Sequence, residues 1–202
     1  MATTIATIRA AMRKDLKDED SIRWTDDELD RHIQHAVLDI SQAVPLEAKD
    51  EALVIPTPAA REIDISGVAG LIYVEAVEYP VGEYPKRYRD HKVWANILEL
   101  LVDTIPTADD PVFLYYGKVH TVDDAASSLP GYLEDLCAVG AGAYAALEWA
   151  SYAINQVNVG GEPTPREYLE WSQRRMDYYH KELTRYGRQS RLKVRQLYAE
   201  PR

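Results

Sequence analysis

His32, His35 and Asp39 are the first residues in the chain whose types and spacing could do chemistry. On a helix, the two histidines and the aspartate could face one metal ion. The spacing is common by chance, however, and the HExxH pattern of a metalloprotease does not occur in the sequence. Because His32 borders an apolar stripe and His35 lies on a polar face, we expect ordinary surface histidines and no metal site.

The other reactive side chains fit structural roles better than catalytic ones. Cys137 is the single cysteine and lies on the predicted buried face of a helix, where a thiol is usually a small core residue. His91 and His120 lie near the edges of predicted strands, and a general base there would need a partner that sequence alone does not supply. The acid pairs at 109–110 and 123–124 adjoin proline or precede serines, so we expect solvated turns. We therefore expect a protein that is not an enzyme.

Gly140, Gly142 and Ala145 give the one match to a nucleotide-binding fingerprint. A dinucleotide site needs such glycines in a tight turn between a strand and a helix. Here the three residues lie inside a predicted helix, where small side chains let a neighbouring helix approach closely. We therefore expect no cofactor.

The composition is that of an acidic globular protein of 202 residues, with 33 acidic and 23 basic side chains and a net charge of −10. This length suits one domain, or one domain that carries an insertion. The longest apolar stretches are well short of the roughly 20 residues that span a membrane, and we find no secretion signal, so we expect no membrane contact. The single cysteine fits a reducing cytoplasm.

Hydrophobic periodicity predicts four helices. The first covers about residues 5–16, and the second starts at Thr25, whose spacing to Glu28 is that of a capping box. The third runs from about 130 to 156 and is so rich in alanine that we expect protein around most of it. The fourth is long and carries separate apolar and basic stripes that persist past Gly187, which indicates that the helix continues through this glycine.

Between the second and third helices, the apolar period changes to that of strands. Short β-branched or aromatic runs are separated by Pro, Gly and Asp clusters, and their close spacing favours antiparallel meanders. The runs are Ala52–Ile55, Arg61–Ile65, Leu71–Val77, Asn96–Val102 and Pro111–Tyr116. We therefore predict an α+β fold, a mainly helical bundle of about four helices with a small antiparallel β unit inserted between helices 2 and 3. Its predicted parts are residues 1–50 (helices 1 and 2), 51–124 (the β-rich insertion) and 125–202 (helices 3 and 4 with a basic C-terminal arm).

Charge is unevenly distributed along the chain. Residues 1–159 carry 13 basic and 27 acidic side chains, a net charge of −14, whereas residues 160–202 carry 10 and 6, a net charge of +4. No acid interrupts the stretch from Thr184 to Ala199. This predicts that no local i,i+4 partners are available to the basic residues of the stretch, namely Arg185, Arg188, Arg191, Lys193 and Arg195. Such a helix suits an acidic partner.

Two segments resemble parts of the head-to-tail connector, or adaptor, proteins of tailed double-stranded DNA bacteriophages. The stretch Ile22–Ile40 resembles the opening of these proteins, where a Trp-Thr-Asp-Asp-Glu-Leu-like cap starts an early helix, here at Trp24–Leu29. The stretch Val112–Asp124, which leads through Ser128–Pro130 into the alanine-rich helix, is similar to a segment of phage neck proteins.

The resemblance implies a structural protein of the virion neck, assembled in the host cytoplasm. In this family, copies form a ring, commonly of about twelve, beneath the portal and extend the DNA channel to the tail. The implied partners are the portal protein, further copies of the chain, another neck or tail component, and genomic DNA that passes without sequence-specific binding. The family's C-terminal region commonly contacts the portal, so the implied portal-binding residues are Arg185, Arg188, Arg191, Lys193 and Arg195. Compact adaptors are mostly helical, and the β unit is a departure from that pattern.

Two other functions remain as alternatives. The first is a DNA-binding or packaging-associated protein that uses the same basic helix on phosphates, which would make its affinity fall steeply with salt. The second is a metal-dependent hydrolase built on His32, His35 and an acid pair, which bound zinc or manganese would identify.

Overall fold

The computed structural model of the chain describes residues 3–56, 58–153 and 165–197, without the side chains of 50–52 and 190–197. These described residues form four α-helices and two antiparallel β-sheets, which confirms the predicted α+β fold. The chain divides into two compact units. Met1–Val44 and His120–Arg202 form the helical unit, and Pro45–Val119 forms the β unit.

The helical unit contains α1 (Ile5–Leu16), α2 (Asp26–Ala43), α3 (Gly131–Ala153) and α4 (Pro165–Leu197). The capping box that begins α2 is confirmed. The Thr25 hydroxyl accepts a hydrogen bond from the Glu28 N–H at 3.3 Å, and the Glu28 carboxylate accepts one from the Thr25 N–H at 2.8 Å. The predicted end of α3 at residue 156 lies outside the described residues.

A single apolar core joins the four described helices, and the predicted stripes of α1 and α2 supply much of it. On α3, the predicted burial on most sides is confirmed, because alanines and glycines away from the main stripe are also buried. Gly140 lies against the ring of Tyr179 on α4, which confirms that small residues there allow close helix packing. Large members of the core are Met12, Leu29, Ile33, Val37, Ile40, Leu133, Leu136, Tyr179 and Leu183. No described helix is long and apolar enough to cross a membrane.

The β unit contains two described sheets, and all their pairings are antiparallel. One sheet has four strands in the order β1-β7-β3-β4, and the other has three in the order β2-β6-β5. The strands are β1 (Leu46–Val54), β2 (Glu62–Asp64), β3 (Leu71–Glu78), β4 (Tyr88–Arg89), β5 (His91–Trp94), β6 (Ile97–Leu100) and β7 (Pro111–Lys118). Their shared core includes Ile55, Ile63, Ile65, Val77, Leu98, Leu100, Val112 and Leu114.

The prediction from the sequence misplaces the start of β1 and omits two short strands. The first predicted run, Ala52–Ile55, overlaps the end of a longer β1 that begins at Leu46, where Leu46 pairs with Lys118. The segment from 46 to 50 has no β-branched or aromatic residue, so strand pairing rather than propensity makes it extended. Strands β4 and β5 are absent from the prediction because they are short and carry mixed polar residues.

Candidate partner-binding surface

Four basic side chains and one tyrosine form a row along the exposed side of α4. Arg174, Tyr178, Lys181, Arg185 and Arg188 follow at intervals of three or four residues, which places them on one side of the helix. All five are exposed, and Tyr178 is 54% accessible. We call these five residues the basic face of α4. It is about 21 Å long at 1.5 Å per residue.

The opposite side of α4 is packed on the helical unit. Tyr179 and Leu183 are buried there, and the Tyr179 hydroxyl donates a hydrogen bond to the Ala36 carbonyl at 3.1 Å. The predicted separation of an apolar stripe from a basic stripe is therefore confirmed for the described part of α4. Val194 and Leu197, which the sequence assigns to the same apolar stripe, have side chains outside the described residues.

Polar contacts also fasten the first half of α4. Arg175 forms an ion pair with Asp15 of α1, and its guanidinium lies 4.7 Å from the centre of the Trp171 ring. Arg23, just before α2, hydrogen-bonds the Tyr168 hydroxyl and lies 5.4 Å from the centre of that ring. These contacts attach the first half of α4 to α1 and to the segment before α2.

Arg185, the first of the predicted portal-binding residues, forms an ion pair within α4. Its guanidinium lies 2.5 Å from the Glu182 carboxylate one turn earlier, and it donates a hydrogen bond to the Tyr186 hydroxyl at 2.7 Å. Arg185 has no acid at i,i+4, as the sequence predicts, but it has an i,i+3 partner, because Glu182 lies upstream of the acid-free stretch. Side-chain exposure of Arg185 is still 55%.

The remaining predicted portal-binding residues lie further along α4. Arg188 is exposed and belongs to the basic face. Arg191, Lys193 and Arg195 belong to the same helix by backbone, but their side chains lie outside the described residues.

Gly187 lies inside α4, which confirms that the helix continues through it. A Cβ at this position would lie 3.0 Å from the carbonyl oxygen of Ala43, at the end of α2. The glycine therefore allows α4 to pass close to the end of α2. Arg188 and Gln189, the two residues after Gly187 whose side chains are described, are exposed.

The predicted histidine pair on α2 is split between two environments. His32 is buried, and its Nε2 lies 3.0 Å from the Glu148 carboxylate of α3, which also pairs with Arg31 at 2.5 Å. The prediction of a surface histidine at His32 is wrong, because α3 covers this edge of the apolar stripe. Burial lowers the pKa of His32, and Glu148 opposes that effect.

His35, the exposed histidine of that pair, and Asp39 have partners unrelated to metal binding. The His35 ring stacks on Tyr144 with 4.2 Å between ring centres. Asp39 accepts a hydrogen bond from the Tyr144 hydroxyl at 2.6 Å. Within the described ranges, no three His, Cys, Asp or Glu side chains are arranged to hold a metal ion.

His120 is a buried structural residue that the sequence placed only near a strand edge. Its Nε2 lies 3.0 Å from the Val44 carbonyl, and its Nδ1 lies 3.1 Å from the Ser128 hydroxyl. The backbone N–H of His120 donates a hydrogen bond to the Ser41 hydroxyl at 2.9 Å. Burial lowers the pKa of His120, so the neutral ring ties the end of α2 to the loop before α3.

The remaining reactive residues have ordinary surroundings. Cys137 is fully buried, and burial raises the pKa of its thiol to about 12. Asp123 accepts hydrogen bonds from the N–H groups of Ala125 and Ala126, both at 2.8 Å, so it is a turn residue as predicted. His91 is part-buried, with its Nδ1 3.4 Å from the Arg89 carbonyl.

A buried ion pair before α2 is a feature that sequence reasoning missed. Arg13 and Asp18 are both buried, with 3.1 Å between guanidinium and carboxylate. Arg13 also pairs with Asp26 at 2.6 Å, and Asp18 accepts hydrogen bonds from the N–H groups of Ile22 and Arg23. The sequence shows only a charged run at residues 17–20, so the burial of Asp18 has no local signal.

Comparison with protein families found no match, and comparison with curated proteins found none. Among solved structures, one similar chain belongs to a structure described as "Neck of empty GTA particle computed with C6 symmetry". The similarity covers 85% of this chain and 88% of that chain, with 15% sequence identity and a TM-score of 0.30. Similarity at this level does not establish a shared fold.

Proposed function

We propose that the chain is a head-to-tail adaptor of a tailed phage, a structural protein that forms a ring beneath the portal and extends the DNA channel to the tail. Two sequence segments support the proposal by resemblance, at Ile22–Ile40 and Val112–Asp124. The observation that carries it is the basic face of α4, whose last member, Arg188, follows the close approach of Gly187 to the end of α2.

The charge distribution suits this role. The C-terminal segment from 160 to 202 has a net charge of +4, whereas the rest of the chain has −14. An acidic body would let DNA slide through a channel without adhering to its wall. A basic helix would meet an acidic surface of the portal, and such complementarity mainly sets specificity and association rate.

The proposed role is structural and involves no catalysis. Its partners are the portal protein, further copies of the chain, a tail-side component and the DNA that passes through the ring. The buried histidines fit this assignment, because His32 and His120 hold helices and loops together through their ring nitrogens.

Truncation tests this proposal. A chain that ends at Tyr186 keeps the described α4 residues that are buried, such as Tyr168, Tyr179 and Leu183, and loses Arg188, Arg191, Lys193 and Arg195. We expect a folded protein, judged by circular dichroism and cooperative urea unfolding, that no longer binds the portal encoded with it. Undiminished portal binding by the folded truncation would refute the C-terminal contact.

The same basic face also fits a row of phosphates, and DNA binding is the second candidate. Arg174, Lys181 and Arg188 are exposed on one side of α4, as a duplex-binding helix requires. Binding to duplex DNA at moderate salt separates the two functions. The adaptor predicts negligible binding, whereas the second candidate predicts clear binding that falls steeply as salt rises.

A further inference from the structure

The β unit exposes an aromatic side chain that its own core does not use. Trp94, at the end of β5, is 86% exposed, and its cross-strand partner Ile97 is 38% exposed. Cross-strand partners point to the same side of a sheet. A large aromatic residue left this open, next to another apolar one, is typical of an interaction surface.

Three carboxylates and one lysine share the side of the sheet that carries Trp94. The lysine is Lys92, the exposed register partner of Glu99. Asp64 on β2 is the register partner of Ile97, and Glu62 is the partner of Glu99 on β6. Asp64 and Glu62 are exposed, and Glu99 is part-buried. The Ser66 N–H, which donates to Asp64 at 2.8 Å, holds the pKa of that carboxyl below its usual range. We call Glu62, Asp64, Trp94, Ile97 and Glu99 the acidic face of the β unit.

This pattern defines the chemistry of a complementary partner. It must place cationic groups over the carboxylates and an apolar or aromatic group against Trp94 and Ile97. Alternate residues of the same strands, Ile63 and Leu98, are buried in the β core, so the acidic face is the outer side of the sheet.

The first half of the basic face of α4 has that chemistry. Arg174 and Lys181 lie one turn on either side of Tyr178, and all three are exposed. The exposed Asp177 borders them, so this half of the face has a net charge of +1. The three residues span about 10 Å along the helix, which is comparable to the width of two or three strands at about 4.8 Å each. Tyrosine and arginine are also enriched among the residues that dominate protein interfaces.

We propose that Arg174, Tyr178 and Lys181 of one copy dock on the acidic face of the β unit of the next copy. The contact is head-to-tail, since each copy contributes two different surfaces, and such contacts generate rings when the rotation between copies closes. The inference rests on the proposed function for the ring itself. The contact between copies does not use the stretch from Arg185 to Arg195, which we propose binds the portal.

Site-specific disulfide formation tests the contact in the full chain. The variant Asn96→Cys with Asp177→Cys places thiols beside the two proposed surfaces and keeps Trp94 and Tyr178. Both positions are exposed, and the native Cys137 is fully buried, so only the new thiols should react. We expect mild oxidation at high protein concentration to give a ladder of linked copies on a non-reducing gel.

A matched control replaces the thiol on α4. Asn96→Cys with Ala10→Cys carries the second thiol on an exposed position of α1, away from the basic face, and should link slowly. Adding Arg174→Glu and Lys181→Glu to the test pair should slow its linking about tenfold, as a change of about 1.4 kcal/mol in affinity would. A mixture of the two single-cysteine variants should stop at a heterodimer.

Two results would overturn the inference: linking no faster than in the control pair, or a disulfide that closes within one copy and gives a monomer. Failure of the proposed function would look different. In that case the truncation after Tyr186 would still bind the portal, while the ladder of linked copies could still form.

Discussion

Gly140 on α3 and Tyr179 on α4 approach so closely that a Cβ on the glycine would lie 2.5 Å from Cε2 of the tyrosine ring. The ring has little freedom to move, because Tyr179 is fully buried and its hydroxyl bonds the Ala36 carbonyl at 3.1 Å. The glycine is therefore a packing residue between two helices, which explains why a nucleotide-like pattern of small residues occurs inside a helix.

Alanine at Gly140 should destabilise the protein. The added methyl must displace the buried, hydrogen-bonded ring of Tyr179. Overpacking of this kind typically costs about 1–3 kcal/mol of stability. Gly142→Ala is the matched control, because a Cβ there meets nothing within 4 Å and alanine favours a helix by about 1 kcal/mol relative to glycine. Urea unfolding should show a loss for the first variant and no loss for the second. Equal free energies of unfolding would contradict the close packing.

Removal of the His120 ring should also destabilise the helical unit. His120→Ala would leave the Val44 carbonyl and the Ser128 hydroxyl without their ring partner, at a cost of about 1–3 kcal/mol for buried polar groups. His35→Ala, at an exposed ring, should cost much less. Thermal unfolding of the two variants measures the difference, and a similar change in midpoint would show that the bonds of His120 contribute little.

The free energy of unfolding should fall as the solution becomes acidic through the histidine range. Burial lowers the pKa of His32 and of His120 from the ordinary value of 6.5, so below pH 6.5 the unfolded chain binds protons that the folded chain does not. Stability is therefore retained above about pH 6.5 and is lost as the pH falls towards the lower pKa values of the folded state. Urea unfolding from pH 7.5 to 5 tests this slope. His120→Gln should reduce it, whereas His35→Gln should not.

Charge reversal on the end of α4 should weaken portal binding without unfolding the protein. Arg188→Glu with Arg191→Glu would place acids against the acidic surface that we propose for the portal. The remaining binding should respond less to salt, since exposed charge pairs are screened over roughly 8–10 Å at ordinary ionic strength. Reversal of Arg166, which is exposed near the start of α4 and pairs with Glu170, is the control. Equal portal affinities for the two variants would show that the portal interface does not lie at the end of α4.

The sequence predicts those parts of the fold in which local chemistry and tertiary structure agree. Thr25 and Glu28 form the expected capping box, and the two sides of α4 separate as its period requires. β1 starts earlier than predicted because its first residues are extended by pairing with β7, and local composition carries no sign of that pairing. Burial of Asp18 with Arg13 depends on how two helices meet, which a single sequence does not encode locally.

The candidate surface was predictable in part. The basic side of α4, from Arg174 onward, follows from the helical period of the sequence, whereas the exposed Tyr178 within it emerges only once the packed side of α4 is known. Glu182 lies before the acid-free stretch, so its pairing with Arg185 was missed. The acidic face of the β unit was not predicted at all, since β5 itself was not recognised as a strand.

Electron microscopy of the purified protein bound to the portal encoded with it tests the central proposal most directly. We expect a ring of copies of this chain on the tail side of the portal, coaxial with the DNA channel, with the C-terminal end of α4 against the portal. A portal that carries no ring of this protein, or only one bound copy, would contradict the adaptor function.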